Sequence, residues 1–134
     1  MIESRPQKLF QYNEEQNMNS ALTYYHWRHG FDDSALGSQQ TFRAILRAME
    51  HPGQIITVRH DPIAPREFNS ATAAACLTLL DCETPIWTDI DWRSPAINWL
   101  LFSCNSNVVT EPCMADFVLV TEPAGMPDLS FFRI

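Results

Sequence analysis

The stretch TFRAILRAMEHPGQIITV, Thr41–Val58, decides how this chain is organised. Phe42, Ile45, Leu46 and Met49 follow the i, i+3, i+4, i+7 spacing of one helical face. Burying four such side chains is worth about 6–12 kcal/mol at the usual transfer values. Arg43, Arg47 and Glu50 fall on the other side, where Arg47 and Glu50 are spaced to pair at i, i+3. Ser38 is the N-cap this pattern predicts. His51 precedes Pro52 and is pushed out of helical geometry, and Gly53 can take positive φ, so HPG is a stop and a tight turn. Gln54–Val58, rich in β-branched residues, then reads as a buried strand.

Working outward, the same alternation recurs. RHDPIAPREF is a loop with two prolines, and Asn69 or Ser70 caps the helix ATAAACLTLL, whose alanines suit close packing on a sheet. DCETP breaks it, and IWT is a short strand. Ser94 and Pro95 form an N-cap and first-position pair for AINWLLFSC, which turns Ile97, Leu100, Leu101 and Cys104 to one face before NSN ends it. VVT and DFVLV are strands separated by Glu111–Pro112, and LSFFRI begins an apolar helical turn. Helices alternating with strands predict α/β layers around a mostly parallel sheet. Residues 1–30 are polar and irregular and read as a leader, with Met18 as an alternative start to Met1; residues 31–134 are the domain. Phe131, Phe132 and Ile134 leave an apolar turn at the very end, from which a truncated chain is expected.

Composition narrows the function classes. The 134 residues suit one domain, and 46% hydrophobic content is enough for a core. A net charge of −7 disfavours nucleic acid and anionic membrane as partners. No apolar run reaches membrane-spanning length, and the first residues have no secretory signal pattern, so a cytoplasmic protein with reduced thiols is expected. Cys76, Cys82, Cys104 and Cys113 form no Cys-x-x-Cys pair. Lys8 is the lone lysine, which excludes a phosphate loop ending in Gly-Lys-Ser/Thr.

Few residues carry chemistry. There is no Gly-x-Ser-x-Gly elbow, no His-Glu-x-x-His and no dinucleotide glycine fingerprint. His26 and His29 lie one helical turn apart but lack a third ligand nearby. Asp89 and Asp91 alternate on an extended segment and could hold a metal or do acid/base work; a solvated sheet edge is the plainer reading. In DCETPIW, Asp81 sits past a helix end, Thr84 and Pro85 enter a strand, and Trp87 anchors it. No residue is assigned as catalytic, as a metal ligand or as a cofactor ligand.

Two motifs carry a resemblance. SQQTFRAILRAMEHPGQI followed by LTLLDCETPIW resembles the PhnH family, one of the component proteins of the bacterial carbon–phosphorus lyase system. The first family pattern falls on Gln39, Phe42, Arg43, Leu46, Ala48, Met49, Pro52 and Gly53, and the second on Leu77, Leu79, Leu80, Asp81, Thr84, Pro85 and Trp87. ADFVLV and MPDLSFFRI continue the likeness, which covers about residues 30–134. It implies a three-layer α/β/α fold similar to PLP-dependent transferases, incomplete here at the C-terminus. It implies a homodimer that assembles with subunits G, I and J. That complex converts an alkylphosphonate and ATP to a ribose 1-phosphonate 5-triphosphate ahead of carbon–phosphorus cleavage. A noncatalytic or co-catalytic subunit is thus implied, with Gln39, Phe42, Arg43, Pro52, Gly53, Asp81, Thr84, Pro85 and Trp87 as structural or interface residues. The family is not associated with PLP use, and independently a core Schiff base has no lysine here. Arg43 is expected to be an anchor paired with a carboxylate such as Asp81. The alternatives are a stand-alone small-molecule or metal-dependent enzyme, or a degenerate fragment with a structural role.

Two departures from the family pattern stand out. Where the family tends to show an R-F-H-T-G/N-like run, this chain has LFSCNSN, with Leu101, Ser103 and Cys104 at the basic, imidazole and hydroxyl positions. Family members also continue past the position of Ile134, so this chain is expected to leave apolar surface uncovered.

Overall fold

A computed structural model describes residues 30–132. The elements run α1 (Ser34–Glu50), α2 (Ser70–Leu79), β1 (Ile86–Thr88), α3 (Pro95–Ser103) and β2 (Phe117–Leu119), with short 3-10 turns at Pro112–Met114, Pro123–Gly125 and Leu129–Phe131. Helix α1 begins earlier than Ser38. Asp33 is the cap: it stays extended, and its Oδ1 accepts from the Leu36 backbone N–H at 3.0 Å. Nothing in Ser34–Gly37 breaks a helix started there. Gly37 is needed inside it, because a Cβ would come within 2.6 Å of the Phe31 ring. The C-terminal stop forms as read: the His51 N–H donates to the Arg47 carbonyl at 3.1 Å, and Gly53 takes φ 87°.

The face that α1 buries is not the apolar one. Gly37 and Thr41 are its buried residues, Gly37 lying against the Phe31 ring, and α1 packs on α2. Phe42 is 46% exposed, Leu46 48% and Met49 72%. The residues α1 buries are small, while its large apolar side chains are turned outward. The expected strand Gln54–Val58 does not form either; the segment carries no ladder and Ile55 is 97% exposed. A strand is stable only against a neighbour, and the small sheet does not extend to this segment.

The core lies instead between α2, α3 and β1. Helix α2 is capped by Asn69, whose side chain accepts from the Thr72 N–H at 2.8 Å. Ser94 caps α3 by accepting from the Ala96 N–H at 3.1 Å, with Pro95 in the first turn. Ala73, Ala74, Ala96, Trp99 and Leu100 are completely inaccessible, and Ile86, Ile97, Phe68, Cys76 and Cys104 pack with them. Trp99 fills the centre: its ring meets Phe68 edge-on at 5.5 Å, and its indole N–H donates to the Ile63 carbonyl at 3.2 Å. Asn105, at φ 52°, ends α3 in the left-handed region, and the Ser106 hydroxyl then donates back to the Leu100 carbonyl at 3.0 Å.

The sheet is smaller than expected. Strand β1 pairs in parallel with β2, in register Ile86↔Phe117, Trp87↔Val118 and Thr88↔Leu119. On the other side β1 makes only a parallel bridge from Ile86 to Val108, in place of a full VVT strand. The described residues therefore form a mixed α/β unit with a two-stranded parallel sheet. They do not build three α/β/α layers, and a likeness to PLP-dependent transferases finds no support in a sheet of this size.

The division between inside and outside gives a direct expectation. Trp99→Ala lowers unfolding stability by about 3–5 kcal/mol, the usual cost of emptying an aromatic core site. Met49→Ala changes it by less than about 0.5 kcal/mol. Urea unfolding of both variants followed by circular dichroism checks the contrast; equal losses would contradict this assignment of the core.

Candidate functional site

Strand β1 is held at both ends by carboxylates that bond to backbone. At its entry, Asp81 closes a turn on itself: Oδ1 accepts from the Glu83 N–H at 2.9 Å and from the Thr84 hydroxyl at 3.0 Å. The Thr84 oxygen in turn accepts from the Asp81 N–H at 2.8 Å. Pro85 then offers its carbonyl to the N–H groups of Asp116 and Phe117, at 2.8 and 3.1 Å, which aligns β2. Trp87, half-buried in β1, meets the Phe132 ring edge-on at 5.7 Å. So Asp81, Thr84, Pro85 and Trp87 work as one structural unit at the start of the sheet.

At the exit, Asp89 ties the C-terminal ends of both strands together. Its carboxylate accepts from the Thr121 N–H at 2.8 Å, the Thr121 hydroxyl at 2.9 Å and the Glu122 N–H at 2.8 Å. Partial burial pushes its pKa up, but these donors outweigh that and hold the carboxyl below its ordinary value. Asp91, read as its companion, instead accepts from the Arg93 N–H at 2.7 Å in the next turn. The two aspartates serve separate turns, and the described residues contain no group of three or more histidine, cysteine, aspartate or glutamate side chains able to hold a metal. His26 and His29 lie outside the described residues.

The other family-motif residues are on α1. Gln39, Phe42 and Arg43 are exposed, and Pro52 and Gly53 form the exposed turn that follows. Arg43 does not pair with Asp81, whose carboxylate is committed to its own turn. Arg47 does not pair with Glu50; Glu50 faces His51 instead, at 3.6 Å. Near the start of the helix, Gln40 bonds His60 at 2.9 Å, His60 lies edge-on to Phe31, and the Ser70 hydroxyl donates to Asp61. No histidine reaches that hydroxyl among the described residues, so no activated serine results.

The thiols divide cleanly. Cys76 and Cys104 are buried and Cys82 and Cys113 exposed. Burial pushes the Cys76 thiol up to about 11 and raises that of Cys104 as well, helped there by the neighbouring Cys76. Both are packing groups rather than nucleophiles. Leu101 and Ser103 are half-buried beside Cys104, so the run that departs from the family pattern here belongs partly to the core. An open cleft of about 570 Å³ is lined by Ala64, Pro65, Arg66, Glu67 and Pro95. Glu67 in that cleft already accepts from the capping Ser94 hydroxyl at 2.6 Å. Among the described residues, then, the geometry assembles turns and surfaces, with no paired nucleophile and base.

A family model for a bacterial phosphonate metabolism protein, PhnH, matches residues 29–134. The chain belongs to the PhnH family. The chain is also similar to the alpha-D-ribose 1-methylphosphonate 5-triphosphate synthase subunit PhnH of Rhizobium meliloti (strain 1021), at 26% identity over 105 residues. That alignment covers 78% of this chain and 52% of the relative, so the chain spans about half the length of that PhnH subunit. Family membership gives the two motifs their weight. The Asp81 turn shows why the second is a fixed structural unit. The outward Gln39, Phe42 and Arg43 put the first on the surface. Sequence reading does not single out the Asp89 clamp or the Asp33 cap in these roles. Asp33 sits where a cap would be sought if the helix were extended one turn; Asp89 is found only once β2 is placed beside β1.

Two measurements probe this arrangement. A thiol reagent modifies two cysteines, Cys82 and Cys113, in the native protein and all four after denaturation; rapid native modification of all four would contradict the burial. Asp89→Asn destabilises the protein at pH 7. Because the folded carboxyl titrates below its unfolded value, that stabilisation is present above about pH 4 and is lost as pH falls through the folded pKa. The difference between wild type and Asp89→Asn therefore narrows toward pH 3, which urea unfolding across pH measures; a gap that stays constant would exclude the charged clamp.

Proposed function

We propose that this chain acts as a noncatalytic or co-catalytic subunit of a carbon–phosphorus lyase core complex, in the step that joins an alkylphosphonate to the ribose of ATP as a 1-phosphonate 5-triphosphate. The observation that carries the reading is the family match over residues 29–134, in a chain whose described residues set out surfaces and turns rather than a reactive constellation. The Rhizobium meliloti relative is by name a synthase subunit, which supports it. In this reading the chain forms a homodimer, associates with subunits G, I and J, and works in the cytoplasm. It uses no PLP of its own, since residues 9–134 contain no lysine for a Schiff base. In a family-length domain the β1–β2 pair is the start of a wider sheet in three α/β/α layers.

Among the alternatives, a metal-dependent enzyme gains nothing from Asp89 and Asp91, which bond to different turns. The test is co-expression of the tagged chain with subunits G, I and J. Stoichiometric co-purification, together with formation of the 5-triphosphate product from alkylphosphonate and ATP only when this chain is present, is the expected result. Product formation by the isolated chain, or absence of any association, would overturn the reading.

A further inference from the structure

The exposed thiols of Cys82 and Cys113 have no part in the turns described above, and the topology brings them to one end of the sheet. Strand β1 is bonded on both flanks at its entry. On one flank the Ile86 N–H donates to the Asn107 carbonyl, and the Ile86 carbonyl accepts from the Val109 N–H, each at 2.9 Å. On the other, the Pro85 carbonyl accepts from the N–H groups of Asp116 and Phe117. Residues 110–115 must therefore cross from one flank of β1 to the other at the level of its first residues. Cys113, in the 3-10 turn Pro112–Met114, lies within that crossing. Cys82 lies in the turn that delivers the chain to the same point, closed by the Thr84 N–H on the Asp81 carbonyl at 3.4 Å. The two also hold matching positions, each four residues before a member of the register pair Ile86↔Phe117. We infer that Cys82 and Cys113 are a redox pair, which hydrogen peroxide closes as a disulfide across the entry to the β1–β2 sheet.

The chemistry suits an exposed pair. One thiol, as its thiolate, attacks a peroxide oxygen; a sulfenic acid forms, and the other oxygen takes up a proton and leaves as water. The second thiol attacks that sulfur, the S–S bond forms, and the sulfenic oxygen leaves as a second water. In sum the two thiols lose two protons and two electrons, and one peroxide is reduced to two waters. Cys76 and Cys104 are packed in the core and shielded from the oxidant. A disulfide needs its two Cα atoms about 4–7 Å apart. Both segments are surface turns, so they reach that separation without disturbing α2, α3 or the strand ladder. The loop it closes contains β1 and α3 and ends just before β2, so one bond latches the whole β1–α3–β2 crossover. Oxidation thereby fixes the order of the sheet entry, and reduction releases it.

The test is brief treatment of the native chain with a small molar excess of hydrogen peroxide, then denaturation and alkylation with N-ethylmaleimide. The treated chain takes up two adducts in place of four, and dithiothreitol restores all four. Trypsin cuts at Arg93, between the two cysteines; the flanking peptides stay joined until they are reduced. Cys82→Ser and Cys113→Ser each prevent closure and keep the circular dichroism spectrum of wild type. The oxidised wild type unfolds at a urea midpoint higher by about 1–3 M, a shift that neither variant shows. Four adducts after treatment would overturn the pairing. So would oxygen adducts on separate thiols, or cross-linked pairs of chains in place of the internal bond. Closure that survives Cys82→Ser would assign the bond to other cysteines and refute this pair. A closed Cys82–Cys113 bond that leaves the midpoint unchanged would refute the latch. None of these outcomes depends on association with subunits G, I and J.

Discussion

The buried indole of Trp99 is the contact on which the remaining structure depends. It is inaccessible, yet it carries an N–H that must be bonded when water is removed. The Ile63 carbonyl accepts it, and so fixes the irregular segment between α1 and α2 against α3. Phe68, at the end of that segment, closes over the same ring. One side chain on α3 thereby positions the loop that delivers α2, and α2 in turn sets where α1 can pack. Strand β1 enters this arrangement through Ile86, nearly inaccessible, which bonds Asn107 and Val109 on one side and leads the register with β2 on the other.

Much of the local structure is legible in the sequence because it rests on short-range chemistry. Asn69 and Ser94 cap their helices as their side chains dictate, and His51-Pro52-Gly53 stops α1 by steric exclusion and positive φ. The strand IWT and the break at DCETP are likewise local, and Asp81 and Thr84 satisfy each other within four residues. What escapes reading depends on neighbours distant in sequence. Periodicity identifies Phe42, Ile45, Leu46 and Met49 as sharing a face, but not whether anything within the chain covers it. Gln54–Val58 has strand composition and no strand to pair with. The same is true of the candidate site. The motif residues can be found by resemblance, whereas the clamp of Asp89 on Thr121 and Glu122 spans more than thirty residues and leaves no local signature.

The family motif on α1 thus records two different demands. Pro52 and Gly53 are required by the chain itself, since the turn needs a residue that stops the helix and one that accepts φ 87°. Phe42 and Arg43 satisfy no comparable demand inside the described residues, where one is half exposed and the other has no carboxylate partner. A large aromatic ring left half in water forgoes stabilisation that burial would supply.

The chain is acidic overall, at −7, yet many of its carboxylates are committed geometrically. Asp33, Asp81, Asp89, Asp91 and Asp128 each accept from backbone N–H groups, and Asp61 and Glu67 from serine hydroxyls. They are held in caps and turns by these bonds. A carboxylate that bonds two N–H groups of its own fold cannot also reach across to a guanidinium without giving them up. Among the described residues Arg43 on α1 has no carboxylate partner.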